Sequence, residues 1–378
     1  MASNRQRFLF LFTPLVVVAA YCVAVVGASA TKLRLFLNLA NWYAKPIGVM
    51  WISLGIAMLI VSIGREAFNP NRKPIADYFT RLLIVARRPS SQISAITPPL
   101  AFTLLMAAYS TFKQTTLPHS GYWADAAIAS MEYKLLLGHH AWQITHGLLA
   151  VEAGYWLDQA YQIWFPLMVG SMLVCSYLSG DPLHRCRFIL CFAATWIITG
   201  TALAYLIPAS GPIYYGHFHA LPDPFLPLKA ILATDDAALK AVHGSGLLAI
   251  RGHAWLLQAQ ETGTIIPGGG ISAMPSMHNA IAILLACAGY SVTRWLGWLL
   301  TLFAGLIFVG SIHLGWHFAL DGIVAGAVSG GLWVSSNRLI ARHERRIGNR
   351  RLRATGGRRA ADRHWTTPMT SIPEPVDT

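Results

Sequence analysis

Charge is scarce in this 378-residue chain. Asp, Glu, Lys and Arg together make up 12% of it, about half of what a soluble domain carries. So little charge cannot solvate a whole molecular surface, which argues against a small soluble enzyme, and 54% hydrophobic residues exclude a disordered chain. Cysteine is nearly absent too. Cys22, Cys175, Cys186, Cys191 and Cys287 are odd in number, lie mostly within apolar runs and match no CxxC or Cys/His metal spacing. They read as small apolar packing residues rather than as disulfides or metal ligands. There is no internal repeat, and the 32 Gly and 20 Pro are too few for a collagen-like or low-complexity chain. Among the charged residues the acidic ones are the scarcer, 16 against 29 Lys plus Arg, for a net charge of +13. That balance alone points to a nucleic-acid partner; the low charge density points instead to a polytopic membrane protein.

What is present is a set of long apolar runs. A bilayer-spanning helix needs about 20 predominantly apolar residues, and eight stretches come close: 8–27, 46–64, 97–112, 159–179, 187–207, 273–290, 295–313 and 316–336. The first has Arg5 and Arg7 ahead of it and a signal-like Ala28-Ser29-Ala30 behind. Its run exceeds the roughly 7–15 residues of a signal h-region, so a retained span is the preferred reading. Alternating the spans from a cytoplasmic N-terminus places 21 of the 29 basic residues on the cytoplasmic side and 8 opposite. This positive-inside asymmetry predicts that both termini are cytoplasmic. On the far side, 114–158 contains an interfacial amphipathic pattern around Glu132 to Gly138. Also on that side, 208–271 is long irregular backbone of the kind that covers a site at a membrane face. The organisation expected is two N-terminal spans with a basic loop (1–96), a catalytic membrane domain (97–340) and a basic, disordered tail (341–378).

Ionisable groups inside a span are functional candidates, because burying one costs at least ~2.5–3.5 kcal/mol. Asp321 is the one acidic residue well inside any of the eight stretches, and His317 precedes it by four, one helical turn away. A carboxylate there takes the Nδ1 proton and leaves Nε2 as a nucleophile. The second element is Ala273-Met274-Pro275-Ser276-Met277-His278. Pro275 suits the first position of a helix, and the free amides of Ser276, Met277 and His278 would form an anion site. Gly268-Gly269-Gly270 allows a tight approach to that helix and is no dinucleotide fingerprint, since no strand precedes it. Both elements fall at the same end of their spans. His278, His317 and Asp321 can therefore converge beside a phosphate cradle, an arrangement for phosphoryl transfer.

Pro275-Ser276-Met277-His278 followed by His317-Phe318-Ala319-Leu320-Asp321 resembles the type 2 phosphatidic acid phosphatase superfamily. More narrowly, Gly269 to His278, preceded by Tyr205 to Pro212, is similar to the inositol phosphorylceramide synthase branch and its bacterial relatives. The resemblance covers about 97–336. It implies an all-α fold of about eight transmembrane helices around a six-helix core, with its active site on the extracytoplasmic face. By it, His317 forms a phosphohistidine, Asp321 orients it, and His278 protonates the leaving group. Water or an alcohol such as inositol then accepts the phosphoryl group from a membrane lipid phosphate, without metal or other cofactor. Simple hydrolysis of a lipid or polyprenyl phosphate is one alternative, and a non-catalytic lipid-binding or transport protein on the same fold is another.

Departures from the family pattern lie in the cations. Gly310-Ser311 stand where Ser-Arg is expected, and no Lys or Arg occurs between 188 and 228. Arg81-x6-Arg88-Pro89 nearly spells the missing motif but falls on the cytoplasmic side of the third span. Arg251 is the expected substitute, with Lys229 and Lys240 behind it; Ser276, Met277 and Ser311 complete the phosphate site, and His313, Tyr214 and Tyr215 line the pocket. His139, His140 and His146 have no carboxylate nearby to complete a metal site, and no nucleic-acid partner is expected. Gly322, Gly326 and Gly330 mark a close helix contact in the last span.

Overall fold

The computed structural model describes residues 4–68, 87, 89–177, 182–220 and 222–338, and among them it is all helical, with no strand. The near-motif arginines Arg81 and Arg88 and the tail from 341 lie outside the described residues. The chain through Leu332 forms one compact unit.

Helices α1 (Asn4–Val26) and α2 (Ala30–Ala67) pack against α3 (Pro89–Thr115). Then come short α4 (Asp125–Leu135) and α5 (Ala141–Leu148), long α6 (Val151–Val174), and α7 (Pro182–Ile197), which runs through a π-helical turn at Ile198–Leu203. Two helices over the irregular segment follow, α8 (Leu226–His243) and α9 (Leu248–Glu261), then α10 (Met277–Val292), α11 (Arg294–His313) and α12 (Ala319–Arg338).

Five helical stretches are long and apolar enough to cross a membrane: Ala30–Arg65, Ser91–Ser120, His184–Leu206, Arg294–His313 and Ala319–Arg338. Phe12–Val26 and Met277–Val292 are apolar but shorter. The run expected at 273–290 loses its first turn because Ser276 is the N-cap and Pro275 sits before it, so the helix starts at Met277. The run expected from 159 starts instead at Val151, with Glu152 in the first turn and buried Asp158 two turns in. Val49, Ile52, Ile56 and Ile60 on α2, with Trp298, Leu299 and Leu302 on α11, all stand exposed. An apolar surface of that extent needs lipid rather than water.

The irregular segment is held by buried carboxylates as well as by a hydrophobic cluster of Tyr122, Tyr214 and Ile271. Asp125, at the start of α4, accepts the backbone N–H of Ser210 at 2.9 Å and of Gly211 at 3.1 Å, with the Ser210 hydroxyl at 2.6 Å and His219 Nε2 at 2.9 Å. Asp158 of α6 accepts the first amides of α9, Leu248 at 2.6 Å and Ala249 at 3.0 Å. Amides that start a helix have no intrahelical partner, so these acids both cap it and anchor it. The amphipathic pattern at 132–138 is shorter than expected, since α4 ends at Leu135 and Gly138 turns at φ +90°.

The π turn in α7 also has a use. It sets Gly200 so close to Tyr109 and Met277 that a Cβ there would lie 2.9 Å from the tyrosine ring. Widened turns of this kind occur often at functional sites.

Candidate active site

His317 lies just ahead of α12, not on it, and its amide donates to the Ser311 carbonyl at 3.0 Å. The Asp321 carboxylate accepts the Phe318 amide at 2.9 Å, closing a cap across the helix start. That cap, rather than a continuous helical face, brings Asp321 Oδ2 to 3.3 Å from His317 Nδ1. The same nitrogen lies 2.9 Å from the Ala273 carbonyl oxygen. A carbonyl can only accept, so Nδ1 carries a proton, and in the neutral ring that leaves the lone pair on Nε2. The ring is thus fixed twice, by a side chain of its own segment and by backbone 44 residues earlier.

His278 is the second residue of α10. Its ring packs between Tyr161, at 4.3 Å between centroids, and Trp164, at 4.2 Å, and lies 6.0 Å from the His317 ring. The Trp164 indole N–H donates to the His278 carbonyl at 3.0 Å. Both histidines line a cavity of about 480 Å³.

That cavity has two chemically different ends. Phe102, Met106, Tyr109 and Lys113 of α3 line it at spacings of four, three and four, one helical stripe. At 1.5 Å per residue the stripe descends roughly 16 Å from Lys113 to Phe102. Around Lys113 gather His278, His317, Ser210, Ser272 and the Met277 end of α10. Along the stripe below Lys113 the lining is apolar, with Phe165 and Met168 of α6 and Trp196 of α7, whose ring lies 4.6 Å from that of Tyr109. Over the polar end lies α9, through Leu248, Gly252, Trp255 and Leu256. Within that helix His253 is buried, and burial pulls its pKa down to about 3, so it is neutral at physiological pH.

Lys113 is the cation that the sequence reading missed. Glycine permits its position: Gly270 has φ +86°, and a Cβ there would lie 3.0 Å from both Lys113 Cγ and the Lys113 carbonyl oxygen. The residues proposed for that role go elsewhere. Arg251 stands exposed on α9 and Lys240 exposed on α8, away from the cavity lining, while Lys229 pairs with Asp223 at 2.7 Å.

Other expected site residues divide between lining and scaffold. Met277 and Tyr214 line the cavity, the Tyr214 hydroxyl donating to the His253 carbonyl at 3.2 Å. Ser276 is fully buried behind it, and its amide, expected to be free, donates to the Asp321 carbonyl at 3.1 Å. Asn279 Nδ2 donates to both Ser276 Oγ at 3.0 Å and Ser311 Oγ at 3.2 Å, tying the α10 start to α11. Tyr215 packs on His219 and Phe225, and His313 stacks on His146 at 3.8 Å; neither is among the lining residues. His140 caps α5, so His139 and His140 are not on a helix together. No group of three metal-ligating side chains occurs among the described residues. Tyr43 of α2 does line the cavity, and its hydroxyl accepts the Gly268 amide at 2.8 Å. The N-terminal helices therefore help to shape the site.

Glu132 is a positioning residue with no motif around it. Its carboxylate accepts the Ala319 amide at the start of α12 and the Ala141 amide, at 3.1 Å, at the start of α5. Burial raises its pKa against the pull of those two donors. Glu132→Ala strands both amides, at about 1–3 kcal/mol for each buried group left unpaired. Thermal unfolding in detergent should show a large loss for alanine and a smaller one for Glu132→Gln, which keeps an acceptor oxygen. Equal losses would show that the helix starts do not depend on this contact.

A family model described as PAP2 superfamily matches residues 126–334. No curated protein and no solved structure matches the chain. The matched region contains His278, His317 and Asp321, whereas Lys113 and Tyr43 precede it. Because more than half of the chain is covered, the assignment is plain: this chain belongs to the PAP2 superfamily.

Proposed function

We propose that this protein is a membrane-embedded lipid phosphate phosphotransferase or phosphatase that works through a phosphohistidine at His317. The observation that carries the reading is the pairing of Nδ1 with the Ala273 carbonyl and Asp321, which leaves Nε2 as a lone-pair nucleophile on the cavity wall. In the first step Nε2 attacks phosphorus, the P–O bond to the lipid alcohol breaks, and His278 gives that oxygen its proton. In the second, a water or alcohol oxygen attacks phosphorus, the P–N bond breaks, and the acceptor's proton returns to His278. Asp321 compensates the positive ring that forms in between, and the Met277 and His278 amides at the α10 start offer donors to phosphoryl oxygens.

The two-ended cavity supports an amphiphilic donor, with phosphate at Lys113 and the alkyl part along the Phe102 stripe. The Gly269–His278 segment favours an alcohol acceptor such as inositol over water. The membrane arrangement proposed is eight spans, six of them forming the catalytic core, with both termini cytoplasmic and the site extracytoplasmic. Assay of the purified protein against a panel of lipid phosphates, with and without labelled inositol, tests the reading: a labelled phosphodiester identifies transfer, and free phosphate alone identifies hydrolysis.

Lys113→Met should lower kcat/KM for a lipid phosphate about 10- to 100-fold, the range of one charge-assisted contact. Arg251→Met should leave it unchanged. Steady-state kinetics on the two variants decides between the cations, and the reverse order would return Arg251 to the site.

A further inference from the structure

Tyr161 presents a hydroxyl that the fold itself does not use. The residue is 5% exposed, its hydroxyl is fully buried, and no hydrogen-bond partner for it exists among the described residues. It lines the same cavity as His278 and His317. Its ring lies flat between two others, 4.3 Å from His278 at 25° and 6.2 Å from Trp316 at 4°. Behind it Gly310 leaves room, a Cβ there meeting the tyrosine ring only at 3.7 Å. Packing thus holds the ring in one orientation, while the polar end makes no hydrogen bond, the Asp321 carboxylate being its charged neighbour.

Buried hydroxyls are almost always paired, and each exception calls for a physical reason. A purely structural aromatic here would be phenylalanine, which fills the same slot without stranding a polar atom. The Trp316 indole N–H, on the parallel ring, is a second buried donor without a partner. Two neutral donors therefore line the cavity that holds both histidines, where the sequence lacks the cations of the family pattern. A phosphoryl group between His317 and His278 would supply the missing acceptor oxygens.

We infer that Tyr161 is a catalytic residue that donates its hydroxyl hydrogen bond to a non-bridging oxygen of the transferring phosphoryl group, with Trp316 as a second neutral donor. This rests on the phosphoryl-transfer reading above. The bond belongs to the bound state alone. It therefore strengthens as negative charge gathers on phosphoryl oxygens and adds nothing to the free protein.

The test is Tyr161→Phe, which keeps the ring between His278 and Trp316. Orthovanadate serves as the probe, since it takes the trigonal-bipyramidal geometry of the transferring phosphoryl group. The variant should bind vanadate at least tenfold more weakly and lose on the order of 10²-fold in kcat, as for other single donors to a developing oxyanion. Its thermal stability without ligand should equal or exceed that of the wild type, because an unpartnered buried hydroxyl has been removed. Trp316→Phe should weaken vanadate binding in the same direction. Unchanged vanadate affinity and kcat in Tyr161→Phe, with an active wild type, would overturn the inference while leaving the histidine mechanism standing. A drop in stability that matches the drop in activity would also overturn it, since the hydroxyl would then be structural. A wild type that neither binds vanadate nor releases phosphate from any lipid phosphate would remove the reading beneath it, and this inference with it.

Discussion

His317→Ala should lose activity on every donor, by a factor on the order of 10⁴ or more, because it removes the atom to which phosphorus is transferred. The loss should fall on kcat and kcat/KM together, with donor binding little changed, as Lys113 and the apolar stripe of α3 remain in place. Alanine forfeits the ring's bonds to the Ala273 carbonyl and Asp321, while the hydrogen bond from the residue's amide to the Ser311 carbonyl is backbone and survives the change. Phosphate release and lipid binding measured on the same preparation separate the chemistry from folding. A variant that retains a tenth of the wild-type rate would remove His317 as the nucleophile, and a wild type that binds lipid without releasing phosphate would leave the protein as a lipid-binding member of its family.

His278→Ala should lose less, and unevenly. A general acid contributes about 10²–10⁴-fold when the leaving group is a poor one, such as a lipid alkoxide, and far less when the leaving group needs no proton. With a lipid phosphate the variant should be slowed by that amount. With p-nitrophenyl phosphate the first step should be nearly normal and the second slow, because the base that activates the acceptor is gone. The phosphoenzyme should then accumulate, giving a burst of nitrophenolate followed by a slow steady rate. Stopped-flow absorbance reads both phases. Equal slowing on both donors without a burst would assign His278 to packing between Tyr161 and Trp164 instead.

The proposed catalytic set is legible in sequence because each member belongs to a short motif. His317 and Asp321 are four residues apart, and His278 follows a helix start that Pro275 and Ser276 announce. The fold class was legible as well, from the scarcity of charge and the apolar runs. Less readable was everything set by contacts between distant segments. The Ala273 carbonyl fixes the tautomer of His317 through backbone, which leaves no mark on residue identity. Glu132 and Asp125 are ordinary surface residues by composition, and only the fold shows them capping helix starts and loop amides. Lys113 ended an apolar run and so was read as its boundary. The stripe Phe102-Met106-Tyr109-Lys113 was the available signal, an unbroken helical face with a charge at one end. Arg251 suits that role by sequence because it lies in the covering segment, but its side chain is exposed and is not among the cavity-lining residues. Helix limits shifted for local reasons, as at Ser276, where a capping side chain ends an apolar run that hydropathy would extend.

The most direct measurement is trapping of the enzyme with phosphorus-labelled donor by a denaturing alkaline quench, followed by mapping of the label. A P–N bond to histidine is labile in acid and stable in base; a phosphoserine shows the opposite pattern, and an acyl phosphate is labile in both. The account predicts base-stable, acid-labile label on the peptide carrying His317. That label should be strongest in His278→Ala given p-nitrophenyl phosphate, and absent from His317→Ala. Acid-stable label, or label that persists when His317 is replaced, would contradict it.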